Sequence, residues 1–476
     1  VEILPLDLDS GKTVEDLIGF LDTVREDVVE NGNPRLLSVT MEAPLLDPLA
    51  VLETIYESDE LSIYIERQND RFAVAGAEAA LSMTFSGPER FKEAKAEIVD
   101  CIDSAIAFGD EGLPFFGPRF FCGFSFFDKV SDLDVFPSSI VFVPRWQVAV
   151  IEDRCMATAN ALIESETDVE AVGSRLWKAR ERFQSFSHED IEVNSTNGND
   201  SFEVLNTRER EGKRTFEDSV SEALDRIEKR AFEKVVLARA QDLTANEAFH
   251  PLRMLNGLRE SFPDCFAFSL SNGKGQSFIG ASPERLARVE SEILNTEALA
   301  GSAPRGKTAS EDARFASELL NSEKDKREQR YVLDSISRRL KALGVELEGD
   351  ESIRLKKLRN VQHLQTTVKG RIPKGMHVLD LIDALHPTPA VGGVPREGAI
   401  DAIPELEGFS RSLYAGAIGY VDHKGEGDFL VGIRSALVDG DRARLYAGVG
   451  IVEGSTPKKE LQETDLKFRA LMDSLL

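Results

Sequence analysis

The stretch Lys234-Val235-Val236-Leu237-Ala238-Arg239 sets four apolar residues between two cations. Short β-branched runs of this kind form strands. Just before it, Val220, Leu224 and Ile227 recur at helical spacing, which predicts a helix over residues 215–231. Beyond it, apolar runs predict strands at 267–270, 277–280 and 285–289, and later at 414–421, 429–437 and 442–447. A long helix is expected over 310–343. A last helix starts near Pro457, with Ser455 or Thr456 as its cap and Pro457 in the first turn. Upstream, 71–76, 120–126 and 139–151 read as strands and 91–108 as a helix. Strands in runs with a few long helices predict an α+β fold, with helices packed outside sheets. Residues 186–212 are rich in Ser, Asn, Asp, Glu and Gly and read as a polar loop or linker. The chain therefore divides into an N-terminal scaffold half, 1–185, and a catalytic region, 213–476.

Chemistry shows where polar groups stand in apolar patterns. Alternation places Lys234 on the face of Val236 and Ala238. Burial of that face favours a neutral amine, and a lysine so placed can serve as a general base. The plainer alternative is a strand-end lysine that snorkels to water. Glu284 lies in Gly280-Ala281-Ser282-Pro283-Glu284-Arg285-Leu286, a turn entering a strand. A carboxyl there is a candidate general acid; a solvated turn glutamate paired with Arg285 is the alternative. Glu328 extends the stripe Val332, Ile336, Leu340, Leu343 by one turn, so it faces inward and needs a partner, a proton or a metal. Glu460, Glu463 and Lys467 share a face of the last helix. Two carboxylates one turn apart repel unless a cation lies between them, and oxygen-only ligands suit Mg²⁺. A Glu463–Lys467 pair on a solvated face is the competing reading.

Glycines form a second pattern. Gly392-Gly393 follow His386-Pro387-Thr388-Pro389-Ala390, and Gly432 precedes Arg434. Glycine beside strands lets a ligand approach the backbone. Gly448 and Gly450, just before the last helix, are placed to offer N–H groups to a carboxylate, and Arg434 to clamp a second one. These residues describe a small anionic substrate, a divalent metal, one base and one acid. Neither glycine-rich nucleotide fingerprint stands at a strand-to-helix turn.

The chain of 476 residues carries 83 acidic and 57 basic side chains, a formal charge of −26. Nucleic-acid affinity comes largely from Lys and Arg, so no nucleic-acid partner is expected. A dense acidic surface suits solubility in strong salt and hints at a halophilic source. No apolar stretch approaches membrane-spanning length, and Val1-Glu2-Ile3-Leu4-Pro5 does not read as a signal peptide, so a cytoplasmic protein with no membrane partner is expected. Cys101, Cys122, Cys155 and Cys265 are spaced neither for zinc nor for a disulfide framework, and read as small apolar residues.

Residues 214–476 resemble the chorismate-utilising enzymes: the anthranilate, aminodeoxychorismate, isochorismate and salicylate synthases. The resemblance rests on an ordered set of segments. They are residues 232–239, Ser282-Pro283-Glu284-Arg285, Thr296-Glu297-Ala298-Leu299-Ala300-Gly301-Ser302-Ala303-Pro304-Arg305-Gly306, and Lys324-Asp325 with Glu328. Then follow residues 386–390, Gly432-Ile433-Arg434, and Gly448-Val449-Gly450-Ile451-Val452 with Glu460, Glu463 and Lys467. The resemblance implies an anthranilate synthase component I-like fold, a large α/β/β/α sandwich of antiparallel sheets with outer helices. The N-terminal half usually completes that sandwich, so the 186–212 break can be a surface loop inside one domain.

The family also implies a mechanism. Mg²⁺ is held by Glu328 and Glu463, with Glu460 direct or through water. Arg434, Lys467 and the Gly448–Gly450 backbone hold the substrate carboxylates, and Gly301 and His386 line the ring pocket. Lys234 activates water and Glu284 protonates the leaving hydroxyl. Members that use water carry a lysine where Lys234 stands. Ala300 occupies the position of the nucleophilic lysine of aminodeoxychorismate synthases. The resemblance is thus to an isochorismate synthase of menaquinone or siderophore type, acting on chorismate without an amidotransferase subunit, as a monomer or weak homo-oligomer. The alternatives are a salicylate synthase and a non-catalytic chorismate-binding relative.

Overall fold

The computed structural model describes residues 1–4, 13–131, 134–185, 202–210, 212–348, 352–359 and 361–475. Its sheet is best followed from Lys234–Ala245, a strand buried from Lys234 through Ala240. That strand pairs antiparallel with Arg442–Val452 along its whole length, and with Val204–Glu209 at its far end. From Arg442–Val452 the ladder continues through Ser435–Asp439, Gln276–Ser282 and Phe266–Ser271. There it enters the N-terminal half, through Ser62–Arg67, Phe72–Phe85, Ser139–Ile151 and Arg119–Phe124. It returns at Ala417–Asp422 and runs on through Gly427–Val431, Arg285–Glu290, Ile293–Pro304 and Val361–Arg371. Every pairing on this path is antiparallel. Strands of the N-terminal half therefore lie in the middle of the ladder, and both halves build one core.

The largest buried apolar cluster draws Phe121 and Phe142 from one half and Val235, Leu237, Phe278, Ile418 and Val431 from the other. Helices close it from outside: Phe91 and Ile98 come from Arg90–Ser104, and Val332, Ile336 and Leu340 from Glu323–Ala342. This is the α+β sandwich expected from the pattern of elements. Thr215 caps the helix Phe216–Glu228 in a reciprocal capping box with Asp218. Among the described residues no helix is long and apolar enough to cross a membrane. The four cysteines are free, and all but Cys101 are buried.

Several expectations change. The helix expected over 91–108 ends at Ser104, and Ile106–Phe108 is a short strand paired in parallel with Glu2–Leu4 and with Arg35–Ala43. The helix expected over 310–343 is two helices, Ala309–Asn321 and Glu323–Ala342. Ser322 takes an extended conformation between them, and its hydroxyl accepts the Asp325 N–H as the N-cap of the second. The strand expected over 429–437 breaks between Val431 and Ser435, because Arg434 adopts φ +50°. In the stretch read as polar linker, Val204–Glu209 is a strand. It lies at the sheet edge with mostly exposed polar side chains, so its composition resembles a loop. Residues 186–201 and 211 of that stretch lie outside the described residues.

Candidate active site

One cavity gathers the C-terminal segments. It is lined by Glu284, Ala300, Gly301, Ser302, Lys324, Asp325, Glu328, His363, Tyr414, Arg434, Gly448, Gly450, Glu460, Glu463 and Lys467, among others. The Lys234 strand and its partner Arg442–Val452 form one wall. Val236 and Ala238 spend their N–H groups on the Gly392 carbonyl and the Glu407 carboxylate. Opposite them stand Gly450 and Gly448. These are non-hydrogen-bonded pairs, so the backbone groups of both glycines turn away from the Lys234 strand. The Gly448 carbonyl accepts from Lys467 Nζ at 2.7 Å. A Cβ at Gly450 would lie 2.5 Å from Glu328 Oε1 and 3.1 Å from Lys234 Cε. Only a residue without a side chain fits between these groups.

Lys234 does not snorkel. Its side chain is 1% exposed, and Nζ lies 2.9 Å from Glu328 Oε1. It sits behind the cavity lining, beneath Gly450 and Glu328. Across the cavity, Glu284 is buried at the start of Arg285–Glu290. Its N–H donates to the Ser282 hydroxyl and its carbonyl accepts from Val431 N–H. Burial first, and the nearby Glu297 second, push its carboxyl up to about 8; Lys356 and Lys234 pull it down by less. Glu284 is therefore a protonated acid at neutral pH, within electrostatic reach of Lys234.

Glu297 has the opposite fate. Burial, the largest single influence, would raise it, but Lys356 together with the Arg285 N–H and Arg67 turns the net direction down. Lys356 Nζ lies 2.7 and 2.8 Å from its two oxygens, and the Arg285 N–H donates to it at 3.0 Å. Lys356 also reaches the Pro283 carbonyl, which fastens the turn that carries Glu284.

The carboxylates expected to hold metal lie at the other end. Glu328 faces Lys234, Glu460 pairs with Lys324 at 3.2 Å, and Glu463 pairs with Lys467 at 2.9 Å. Asp325 joins them. Burial first, then Glu328 and Glu463, raise its carboxyl. Carboxylate oxygens are the donor type that a hard divalent cation takes. Among the described residues, no three of His, Cys, Asp and Glu are drawn together tightly enough to hold a metal by themselves.

The anion end of the cavity is cationic. Arg434 has no carboxylate partner among the described residues; its Nη2 lies 2.9 Å from His363 Nε2. Burial, then Arg434 and Lys467, hold His363 well below the usual histidine range, so it is neutral. The left-handed φ of Arg434 is uncommon for a non-glycine residue, and strain of this kind gathers at functional sites. Gly301 takes φ +74° where the register of Ile293–Pro304 shifts, and a Cβ there would meet Asp325 Cβ at 2.9 Å.

One expected residue lies elsewhere. His386 does not line the cavity. It ends the helix Val378–Leu385, and its buried ring packs near Phe91 and Phe126 in the aromatic core of the N-terminal half. Burial lowers it to about 3. The residues after it reach the site instead: Ala390 and Val391 line the cavity, and the Thr388 hydroxyl faces Glu284 Oε1 at 3.5 Å. Glu297, Lys356, Asp325 and His363 are site residues to which sequence reasoning assigned no role. Glu297 was findable by the signal that marks Lys234, a charge inside an apolar strand.

The profile described as "Chorismate binding enzyme" matches residues 22–476, and the chain belongs to this family of chorismate binding enzymes. Within it, isochorismate synthase MenF of Bacillus subtilis is 34% identical over 364 residues, 75% of each chain. The salicylate biosynthesis isochorismate synthase of Pseudomonas aeruginosa is 41% identical over 263 residues, 55% of each chain. Among solved structures, the menaquinone-specific isochorismate synthase MenF of Escherichia coli aligns over 96% of this chain and all of its own, with TM-score 0.76 and 25% identity. Anthranilate synthase component I of Streptococcus pneumoniae shares the fold, at TM-score 0.67 and 23% identity over 84% of this chain and 92% of its own.

Proposed function

We propose that the chain is an isochorismate synthase, converting chorismate to isochorismate by adding water at C2 of the ring with loss of the C4 hydroxyl. The observation that carries this reading is the pair of buried groups across one cavity. Glu284 is protonated at neutral pH, and Lys234, the buried amine that meets Glu328, lies within its electrostatic reach. Relatives 34% and 41% identical bear the name of this activity.

Arg434, Lys467 and the backbone at Gly448 and Gly450 hold the two substrate carboxylates. Lys234 takes a proton from the attacking water. The ring double bonds shift, and Glu284 gives its proton to the C4 oxygen as that bond breaks. The reverse reaction exchanges the two roles. Ala300 presents a methyl group to the cavity, so no side-chain amine is offered there as a nucleophile. Glu328, Glu463 and Glu460 would hold Mg²⁺, which when bound neutralises substrate carboxylate charge and orients the ring. The enzyme works in the cytoplasm without an amidotransferase subunit.

Incubation with chorismate and identification of the product tests the reading. Isochorismate alone is the expected result. Salicylate with pyruvate would assign the chain to the salicylate synthases, and no turnover would make it a non-catalytic relative. EDTA should stop the reaction and Mg²⁺ restore it.

A further inference from the structure

A second cavity, of about 530 Å³, lies against the first and shares Ser302, Arg434, Glu463 and Lys467 with it. Its inner wall is thus the cationic end of the active site. Its outer wall is one face of the C-terminal helix Pro457–Leu475, where Lys459, Leu466 and Arg469 recur at helical spacing. Lys459 and Arg469 are exposed, and neither has an ion-pair partner among the described residues. Leu466, 54% exposed, and Phe262 supply apolar surface between the cations. Four cations line this space (Arg434, Lys459, Lys467, Arg469) against two carboxylates, Glu463 and Asp473. The excess is opposite in sign to the chain as a whole, whose net charge is −26. A dianion approaching most of this molecule is repelled.

We propose that this outer cavity is an entry subsite for the ring dicarboxylate substrate. Lys459 and Arg469 draw the carboxylates in, Leu466 and Phe262 take the ring, and the anion passes to Arg434 and Lys467. The inference rests on the chorismate reading above and adds two residues to it. A cleft lined by one sign of charge raises local substrate concentration and association rate. Its contribution therefore falls on kcat/KM and is screened by salt.

The test is the ionic-strength dependence of kcat/KM for chorismate, over the salt range in which the wild-type circular dichroism is constant. In the Lys459→Glu/Arg469→Glu variant, kcat/KM at the low-salt end should fall on the order of tenfold, with kcat within about twofold of wild type. Its salt slope should flatten or reverse. Lys459→Gln/Arg469→Gln should fall between. The same double reversal on the helix Val169–Ser185, Arg175→Glu/Lys178→Glu, changes net charge equally but packs elsewhere, and should leave kcat/KM near wild type. Wild-type kcat/KM and slope in the Lys459/Arg469 variants, or an equal loss in the Arg175/Lys178 control, would overturn the subsite alone. No turnover of chorismate by the wild type would overturn the functional reading and the subsite with it.

Discussion

The two ends of the active-site cavity are built from the same residue types and put them to opposite use. At one end Lys356 pairs with Glu297, and Glu284 beside them has no ion-pair partner among the described residues. At the other end Lys234 meets Glu328, and Glu460 and Glu463 have Lys324 and Lys467. In the proposed mechanism the acid at the first end is the carboxyl Glu284, and the base at the second is the lysine Lys234. What keeps Glu284 protonated is burial together with the pairing pattern around it. A buried carboxyl keeps its proton when the nearest cation is already taken and the nearest anion repels a second charge.

Removing either working group should break the comparison most severely. Lys234→Ala and Glu284→Gln should each lower kcat by about 10²–10⁴-fold while chorismate binding is largely kept. Near-normal rates in either would remove that residue from its role. The Lys356–Glu297 pair comes next. Lys356→Met leaves Glu297 buried without a cation and should cost about 3–5 kcal/mol of stability in urea denaturation. Adding Glu297→Gln should recover much of that loss; no recovery would mean that Lys356 acts otherwise than through Glu297.

A smaller effect is the alkaline limb of activity. Glu284 must be protonated, so kcat/KM should fall above about pH 8, approaching about tenfold per pH unit. The same shift fixes a sign for stability. The folded value lies above the unfolded one, so the contribution of Glu284 is full below the ordinary carboxylate range and is lost as pH rises through about 8. The smallest effect belongs to Thr388. Its hydroxyl holds Glu284 down, so Thr388→Val should move the alkaline limb upward by a fraction of a pH unit, read from the same profile.

How much of this was legible in the sequence follows the range of each interaction. Lys234 and Glu328 stand out because each breaks a local apolar period, and the two pair at 2.9 Å, Lys234 fully buried and Glu328 partly so. The Glu463–Lys467 pair, at one helical turn, was also legible. Lys324 was not readable as the partner of Glu460, because the two lie 136 residues apart. Lys356 and Glu297 are 59 residues apart on separate strands, and only Glu297 breaks an apolar run. The α+β class was legible from element order. The insertion of N-terminal strands into the ladder was not, since the register of Ile63 on Leu270 joins distant segments. The family resemblance implies His386 in the pocket, but only the residues after it line the cavity. The helix that ends there turns the ring into the aromatic core, and His363 from another strand takes the place beside Arg434.

The pairing argument is tested most directly by infrared difference spectroscopy of the wild type against Glu284→Gln at neutral pH, followed through an alkaline titration. The account predicts the carbonyl stretch of a protonated carboxyl in the wild type, absent from the variant and lost with a midpoint at about 8. A carboxylate signal from Glu284 already present at neutral pH would contradict it.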